Sequence, residues 1–313
     1  MSPFRSVVYQ VTQELTPLDM RTPLRVTAAM REYLTYYGLM FADLDYEQSV
    51  GTFQSKGFTL TAQVFRPQRP TGTAFLLHGY LDHAGIIAPL IRYCLEHGLA
   101  VAMYDLPGHG LSDGPRASIG EFTDYVAVFE DFLAVSTPHL PKPYHLFSHS
   151  TGSAISVEYL AHAARSPFDK VVFLAPLVRH VYWHPAKVTY AVGKLLAVKT
   201  VPRRISELSS DPAFQEFLTR DPLITARVPT QWVGALYAWE ADIRAMTPVS
   251  HPVLIIQGTR DTVVDGDHNV PFLQQKFTHA TVRWIQEGRH QLVNECEEIR
   301  QQVFDAMSAY LEG

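Results

Sequence analysis

Short apolar runs and period-two alternation recur along the chain from residue 50 onward, and they predict β-strands. The predicted strands are Val50–Gln54, Thr59–Phe65, Thr73–His78, Leu99–Tyr104, a run from Tyr144 that ends at Ser150, Lys170–Ala175, His251–Gln257 and Ala280–Gln286. Helix-like segments of ordinary length separate most of them. This alternation predicts an α/β protein with a mostly parallel sheet.

Two stretches depart from this alternation. Residues 1–49 form an N-terminal extension with one predicted helix, Leu24–Phe41, whose apolar residues have helical spacing; residues before it show no clear period. This helix either packs on the body or touches a membrane or the substrate entrance. Residues 177–247 form an insertion that is predicted to be helical, with several prolines. The predicted core is therefore residues 50–176 and 248–313, with the insertion as a cap over the strand ends.

One serine lies where a strand meets a helix. Ser150 has small residues two positions away on each side, Ser148 and Gly152. A nucleophile elbow needs small flanks because the turn is too tight for larger side chains there, and the turn lifts the serine oxygen above the sheet. The usual first flank is glycine, so Ser148 is a departure from the pattern. The alternative is an ordinary strand-to-helix turn that contains serines.

A serine nucleophile needs a base, and the base needs a carboxylate that orients it. Asp261 follows the predicted strand that ends at Gln257, and His290 follows the next predicted strand. The chain order serine, aspartate, histidine is that of α/β-hydrolases. Other aspartate and histidine residues nearby could serve as the acid or the base, and we interpret them as surface groups on the following helix and its end. They are Asp265, Asp267, His268 and His279.

A third element would hold the oxyanion. The strand Thr73–His78 ends in His-Gly, and Gly79 lets the backbone turn so that the N–H of Tyr80 faces the nucleophile. The N–H of Thr151 would be the second donor. His78, Asp82 and His83 have the side chains of metal ligands, but no further ligand cluster accompanies them, so we predict no metal site.

Composition narrows the class of protein. The chain has 313 residues, 47% of them hydrophobic and 18% charged, and a net charge of −5. The absence of a basic block argues against a nucleic-acid partner. Two distant cysteines, Cys94 and Cys296, fit reduced thiols in a cytoplasmic protein. The sequence contains no apolar run long enough for a membrane span and no signal-peptide core near Met1.

Several motifs occur in register and together carry a resemblance. They are His78-Gly79 with His83, Asp105-Leu106-Pro107-Gly108-His109-Gly110, the elbow, Gln257-Gly258 to Asp261, Glu287-Gly288 to His290, and Asp221-Pro222-Leu223. Over roughly Val50 to Gly313 the chain resembles the monoacylglycerol lipase and lysophospholipase group of α/β-hydrolases. The resemblance implies an eight-stranded sheet, a helical cap inserted before the last two strands, and no cofactor. It implies Ser150, Asp261 and His290 as catalytic residues, with Tyr80 and Thr151 at the oxyanion hole.

These observations predict a serine hydrolase that cleaves carboxylic esters through an acyl-enzyme. We expect a single-chain lipid ester, either a monoacylglycerol or a lysophospholipid, and peripheral membrane contact through the cap or the N-terminal helix. Trp183, Trp232 and Trp239 of the cap either bind the acyl chain or form the cap's own core. The alternatives are a thioesterase, an amidase or a carbon–carbon bond hydrolase on the same residues, or a catalytically silent binding protein.

Overall fold

The computed structural model describes residues 3–163, 165–203 and 207–313. The strands are β1 (Tyr46–Ser55), β2 (Phe58–Pro67), β3 (Gly72–Leu77), β4 (Leu99–Tyr104), β5 (Tyr144–His149), β6 (Phe168–Leu174), β7 (Thr200–Pro202), β8 (Arg227–Pro229), β9 (Val253–Gly258) and β10 (Ala280–Ile285). The α-helices are α1 (Pro3–Glu14), α2 (Ala28–Tyr36), α3 (Ala88–Glu96), α4 (Phe122–Ser136), α5 (Thr151–His162), α6 (Trp183–Leu195), α7 (Pro212–Arg220), α8 (Thr230–Ile243), α9 (Gly266–Lys276) and α10 (Glu297–Glu312).

Eight strands form one sheet in the order β1-β2-β4-β3-β5-β6-β9-β10. Strand β2 is antiparallel to both of its neighbours, and the pairs from β4 to β10 are parallel. Every residue of β3, β4, β5 and β9 is buried, because helices cover both faces of the central strands. The expected mostly parallel, eight-stranded α/β sheet is confirmed.

The insertion between β6 and β9 contains helices α6, α7 and α8. It also contains a two-stranded antiparallel sheet, β7 with β8, in which Val201 pairs with Val228. The sequence predicted helices alone for this insertion, and that expectation is incomplete. Each of these strands has three residues, which is too short for an alternating pattern to be visible in the sequence.

The N-terminal extension has two helices, so the prediction of one helix was wrong. Helix α1 buries Phe4, Val7 and Val11, which are spaced as one helical face. Helix α2 is shorter than the predicted Leu24–Phe41, because Thr27 caps its start by accepting the Met30 N–H at 3.1 Å. The buried face of α2 packs on the body of the protein, which was one of the two alternatives.

The segment between α1 and α2 lies along the outer edge of β1. The N–H of Leu18 donates to the Thr52 carbonyl at 2.9 Å, and the N–H of Thr52 donates to the Thr16 carbonyl at 2.8 Å. A Cβ on Gly51 would lie 2.6 Å from the Leu18 Cα, so glycine is required for this close approach. Strand β1 itself begins at Tyr46, four residues before the predicted core boundary.

Candidate active site

Ser150 lies between the end of β5 and the start of α5, with φ 52° and ψ −113°. A positive φ is strained for a residue with a Cβ, and such strain recurs at functional sites. The backbone of Ser150 is fixed on both sides, because its N–H donates to the Leu174 carbonyl at 2.9 Å and its carbonyl accepts from Leu177 at 3.2 Å. The surrounding sheet therefore holds this serine in the sharp turn that the sequence predicted.

The two small flanks of Ser150 have different surroundings. A Cβ on Gly152 would lie 2.4 Å from the Leu77 carbonyl oxygen, so a larger residue cannot be accommodated there. Ser148, by contrast, is fully buried with room for its hydroxyl, which lies 3.4 Å from the Ser153 hydroxyl. The Ser153 hydroxyl in turn donates to the Ser148 carbonyl at 2.7 Å. Serine therefore fits where glycine is usual, and a hydrogen bond stabilises the turn.

The structure brings Ser150, His290 and Asp261 together in one chain of hydrogen bonds. The His290 Nε2 lies 3.1 Å from the Ser150 Oγ, and the His290 Nδ1 lies 2.8 Å from the Asp261 Oδ2. Both loops leave the carboxyl ends of parallel strands, β9 and β10, and they touch: a Cβ on Gly258 would lie 2.2 Å from the Gly288 carbonyl oxygen. In this geometry His290 can activate the Ser150 hydroxyl, and the Asp261 carboxylate can orient His290.

The Asp261 carboxylate is buried and fully hydrogen-bonded. Although burial alone raises the pKa of a carboxyl group, His290 and the N–H groups of Val263 and Val264 lower the pKa of Asp261 below its ordinary value of 3.8. Those two N–H groups donate to Oδ1 at 2.8 and 3.0 Å. Gln257 also donates to Oδ2 at 3.1 Å, a contact that the sequence analysis did not identify. Asp261 therefore stays ionised beside His290.

The alternative acids and bases lie elsewhere. Asp265 caps helix α9 by accepting the His268 N–H at 3.1 Å. Asp267 is exposed on that helix, and His279 is exposed beyond its end. Asp267 and His279 therefore match the expectation of surface groups on and around the helix, whereas Asp265 and His268 are half-buried.

The predicted oxyanion loop follows β3, which pairs with β5 so that Leu77 is opposite Ser148. The loop passes directly against the elbow, because a Cβ on Gly79 would lie 2.7 Å from the His149 Nδ1. The Tyr80 hydroxyl donates to the Ala117 carbonyl at 2.7 Å, which fixes the residue whose N–H was predicted to face the nucleophile. The role of the Tyr80 and Thr151 N–H groups stays a prediction.

The three cap tryptophans have different positions. The Trp232 ring stacks on the Tyr80 ring at 3.6 Å between centroids, so it borders the predicted oxyanion loop. Trp239 stacks on Phe122 of helix α4, and its indole N–H donates to the Glu158 carboxylate at 2.9 Å. Trp183 is buried between cap residues. Trp239 therefore fastens the cap to the core, and Trp183 forms part of the cap's own packing.

Hydrogen bonds hold the loop from Asp105 to His109 as a structural turn. Asp105 accepts the N–H groups of Ala84 and Leu111, each at 2.8 Å. The His109 Nδ1 lies 2.9 Å from the Pro107 carbonyl, and burial lowers the pKa of His109 to about 3. Among the residues that the structure describes, no group of three or more histidine, cysteine, aspartate or glutamate side chains is arranged to hold a metal ion.

His149 directly precedes Ser150, and the sequence analysis did not identify it as a support of the site. The His149 Nε2 lies 3.0 Å from the His290 carbonyl oxygen, so it donates to the backbone of the candidate base. Its Nδ1 lies 3.3 Å from an Asp82 carboxylate oxygen, an ion-pair distance rather than a well-aligned hydrogen bond. Gln291 donates to the same carboxylate at 2.9 Å. The position of His149 directly before the candidate nucleophile was the one signal of this role in the sequence.

A second buried network joins three distant parts of the chain. The Asp221 carboxylate accepts from the Tyr37 hydroxyl and from the His83 Nε2, each at 2.9 Å. Tyr37 directly follows helix α2, His83 lies in the oxyanion loop, and Asp221 follows cap helix α7. The network therefore ties the N-terminal extension and the cap to the loop beside Ser150.

Comparison with known proteins identifies the family. The family model described as "Serine aminopeptidase, S33" matches residues 68–297, which is most of the chain. Human monoglyceride lipase is 27% identical over 263 residues, covering 78% of this chain and 84% of the relative. A monoglyceride lipase homolog of monkeypox virus is 23% identical, covering 77% and 90% of the two chains.

The crystal structure of a soluble variant of monoglyceride lipase from Saccharomyces cerevisiae, in complex with a substrate analog, has the same fold. It superimposes with a TM-score of 0.72 at 18% identity and covers 84% of this chain and 95% of that one. The chain therefore belongs to the serine aminopeptidase S33 family, and it is a monoacylglycerol lipase-like α/β-hydrolase that acts on carboxylic esters.

Proposed function

We propose that Ser150, His290 and Asp261 form the catalytic triad of this ester hydrolase. His290 takes the proton of the Ser150 hydroxyl as its oxygen attacks the ester carbonyl. The Tyr80 and Thr151 N–H groups hold the resulting oxyanion. The ester C–O bond then breaks, the alcohol leaves with the proton from His290, and water attacks the acyl-enzyme by the same route. The observation that carries this proposal is the unbroken chain of contacts, at 3.1 and 2.8 Å, that ends on a buried carboxylate.

The test is covalent labelling by a serine-directed fluorophosphonate. We expect the wild-type protein to be labelled at Ser150, and Ser150→Ala to lose both the label and esterase activity. Ser153→Ala is the matched control, because Ser153 is also buried three residues away and its hydroxyl bonds to backbone. A label that mass spectrometry maps to another residue contradicts the assignment. A correctly folded wild-type protein that takes no label favours a silent binding protein.

A second apolar cluster favours an acyl chain as part of the substrate. Its buried members are Ile86, Leu208 and Leu218, and its partly buried members are Phe214, Phe217, Ile224 and Val263. It lies between the cap and the loops of the candidate site, since Ile86 follows the oxyanion loop and Val263 follows Asp261. Phe217 and Val263 also pack against the main core. We propose that an acyl chain packs among these side chains.

Chain-length dependence tests the acyl proposal. Burying one methylene contributes about 0.8 kcal/mol, so each added methylene should raise kcat/KM by up to about fourfold until the groove is full. The measurement uses p-nitrophenyl esters from two to sixteen carbons below their aggregation concentrations, with Ser150→Ala as background. A flat profile, or a maximum at acetate, contradicts the acyl groove. Parallel assays with a monoacylglycerol, a lysophospholipid, a thioester and an amide then identify the leaving group.

The cap also presents an apolar surface that suits a lipid interface. One face of helix α6 and the residue after it expose Val188 (67%), Val192 (53%), Leu195 (86%) and Leu196 (70%). Lys194 and Lys199 are exposed in the same part of the chain, and residues 181–203 contain no acidic residue. An apolar face bordered by lysines is typical of helices that bind anionic membrane surfaces. Among the described residues, no helix has the length and apolarity that a membrane crossing requires.

We therefore propose that the α6 face docks on an anionic lipid surface. The double variant Leu195→Asp, Leu196→Asp should lose co-sedimentation with vesicles of phosphatidylcholine and phosphatidylglycerol, while hydrolysis of a soluble short-chain ester stays unchanged. The control is Val135→Asp, because Val135 is an exposed apolar residue on helix α4 of the core. Equal vesicle binding by the double variant contradicts this proposal.

The free thiols of Cys94 and Cys296 support the cytoplasmic location expected from the sequence.

A further inference from the structure

A short stretch of the cap runs against the loop that carries His290. We call residues 207–211 the cap linker and residues 286–296 the histidine loop. The cap linker lies between strand β7 and helix α7, and the histidine loop joins β10 to α10. The two segments are about 80 residues apart in sequence, so only the folded cap brings them together.

The cap linker binds the residues on both sides of His290. The Gln291 N–H donates to the Leu208 carbonyl at 2.8 Å. On the other side, the Arg289 guanidinium donates to the Ser209 carbonyl at 2.8 Å and forms an ion pair with Glu207 at 2.9 Å. The backbone of His290 is therefore held between two contacts with the cap.

Glu295 joins the two segments from the inside. Its side chain is completely buried, and one carboxylate oxygen accepts the Arg289 N–H at 2.5 Å. The other oxygen accepts the N–H and the hydroxyl of Ser210, each at 2.5 Å. Among the residues that the structure describes, Glu295 has no salt-bridge partner, and its carboxylate oxygens accept hydrogen bonds from donors on both segments. A buried carboxylate is stable only while such donors remain in place.

We propose that Glu295 is a positioning residue. Through Glu295, the position of the cap determines the alignment of His290 with Ser150. The inference rests on the proposed role of His290 as the base for Ser150. Because Arg289 and Ser210 share one carboxylate, a displacement of the cap linker is transmitted to the histidine loop. The distance from the His290 Nε2 to the Ser150 Oγ therefore depends on where the cap lies. Catalysis is thereby coupled to the position of the cap.

Glu295→Gln tests the coupling, because the amide keeps the size of the side chain but places an NH₂ group against a donor that needs an acceptor. Glu297→Gln is the matched control, since Glu297 is exposed two residues later. We expect hydrogen–deuterium exchange to accelerate in residues 207–211 and 286–296 of Glu295→Gln and to stay unchanged in the strands β5 and β9. With a soluble short-chain ester, we expect kcat to fall by about tenfold to a hundredfold while KM stays within about twofold.

Ser210→Ala supplies the same test from the cap side. It removes one hydrogen bond to Glu295 and the acceptor of the Cys296 N–H, and it leaves the carboxylate intact, so we expect a smaller fall in kcat with the same split between kcat and KM. Unchanged exchange in the cap linker of Glu295→Gln, or equal kcat in Glu295→Gln and Glu297→Gln, overturns the inference. If Glu295→Gln fails to fold, normal kcat in Ser210→Ala overturns it. The exchange measurement requires no turnover, so it tests the link between the cap linker and the histidine loop alone. Fluorophosphonate labelling of the wild-type protein tests the proposed function separately.

Discussion

Ser150→Gly is expected to be more stable than Ser150→Ala, although both variants lose the candidate nucleophile. Ser150 has φ 52° and ψ −113°, and its backbone is fixed by hydrogen bonds to Leu174 and Leu177. A residue with a Cβ in such a sparsely populated region costs about 1–3 kcal/mol, whereas glycine adopts positive φ freely. The contact with His290 is lost in both variants, so it cancels in the comparison.

The expected size of the effect follows from two opposing contributions. Relief of strain favours glycine by about 1–3 kcal/mol. The greater freedom of glycine in the unfolded chain opposes this by about 0.4–1 kcal/mol. At the midpoints of these two ranges, the net free energy of unfolding should be about 1.3 kcal/mol higher for Ser150→Gly than for Ser150→Ala. For a chain of this size, that difference corresponds to an increase in Tm of about 2 °C.

Urea denaturation of the two variants measures this difference, provided that their m-values agree. Ser153 supplies a control with the opposite sign, because it lies within helix α5. Ser153→Gly should be about 1 kcal/mol less stable than Ser153→Ala, since glycine weakens a helix interior. If Ser150→Ala proves as stable as Ser150→Gly, the turn at Ser150 is not strained and the reasoning fails.

Three further predictions concern the site and its supports. Asp261→Asn should lower kcat by about 10⁴ with little change in fold, measured by steady-state kinetics beside Asp265→Asn, which should stay active. Tyr37→Phe should lower the free energy of unfolding by about 1.5–3 kcal/mol, because the Asp221 carboxylate loses a buried donor, whereas Tyr36→Phe should leave urea denaturation unchanged. Burial lowers the pKa of His109 from 6.5 to about 3, so its contribution to stability is present above pH 6.5 and is lost as the pH falls. The wild-type protein should therefore lose about 2 kcal/mol more than His109→Gln between pH 7 and pH 5, and parallel pH curves would contradict this.

The position of the site was predictable because topology determines it. The carboxyl ends of neighbouring parallel strands meet at one edge of a sheet, so residues that follow β5, β9 and β10 converge there. The candidate residues Ser150, Asp261 and His290 were each predicted from a strand pattern that ends in a turn. Their identification required no knowledge of side-chain contacts.

The supports of the site were not predictable in the same way. Glu295 binds Ser210 across 85 residues of sequence, and Tyr37 binds Asp221 across 184. No spacing or period encodes such pairs, because they depend on how the cap and the N-terminal extension pack. Helix α1 is different, since the spacing of Phe4 and Val11 was visible in the sequence. Pro3 is the first residue of this helix, where proline is tolerated, and Pro17 and Pro23 lie beyond its end.

The contact between residues 16–18 and the edge of β1 has a consequence for producing shorter forms of the protein. An open sheet edge is a template for pairing with another molecule, and here the backbone of Thr16 and Leu18 occupies part of that edge. The family match begins at residue 68, which makes the preceding residues look dispensable. Trimming the chain to Tyr46 would instead leave a ten-residue strand with an uncovered edge. Such a form should therefore be recovered from bacterial expression as insoluble aggregate.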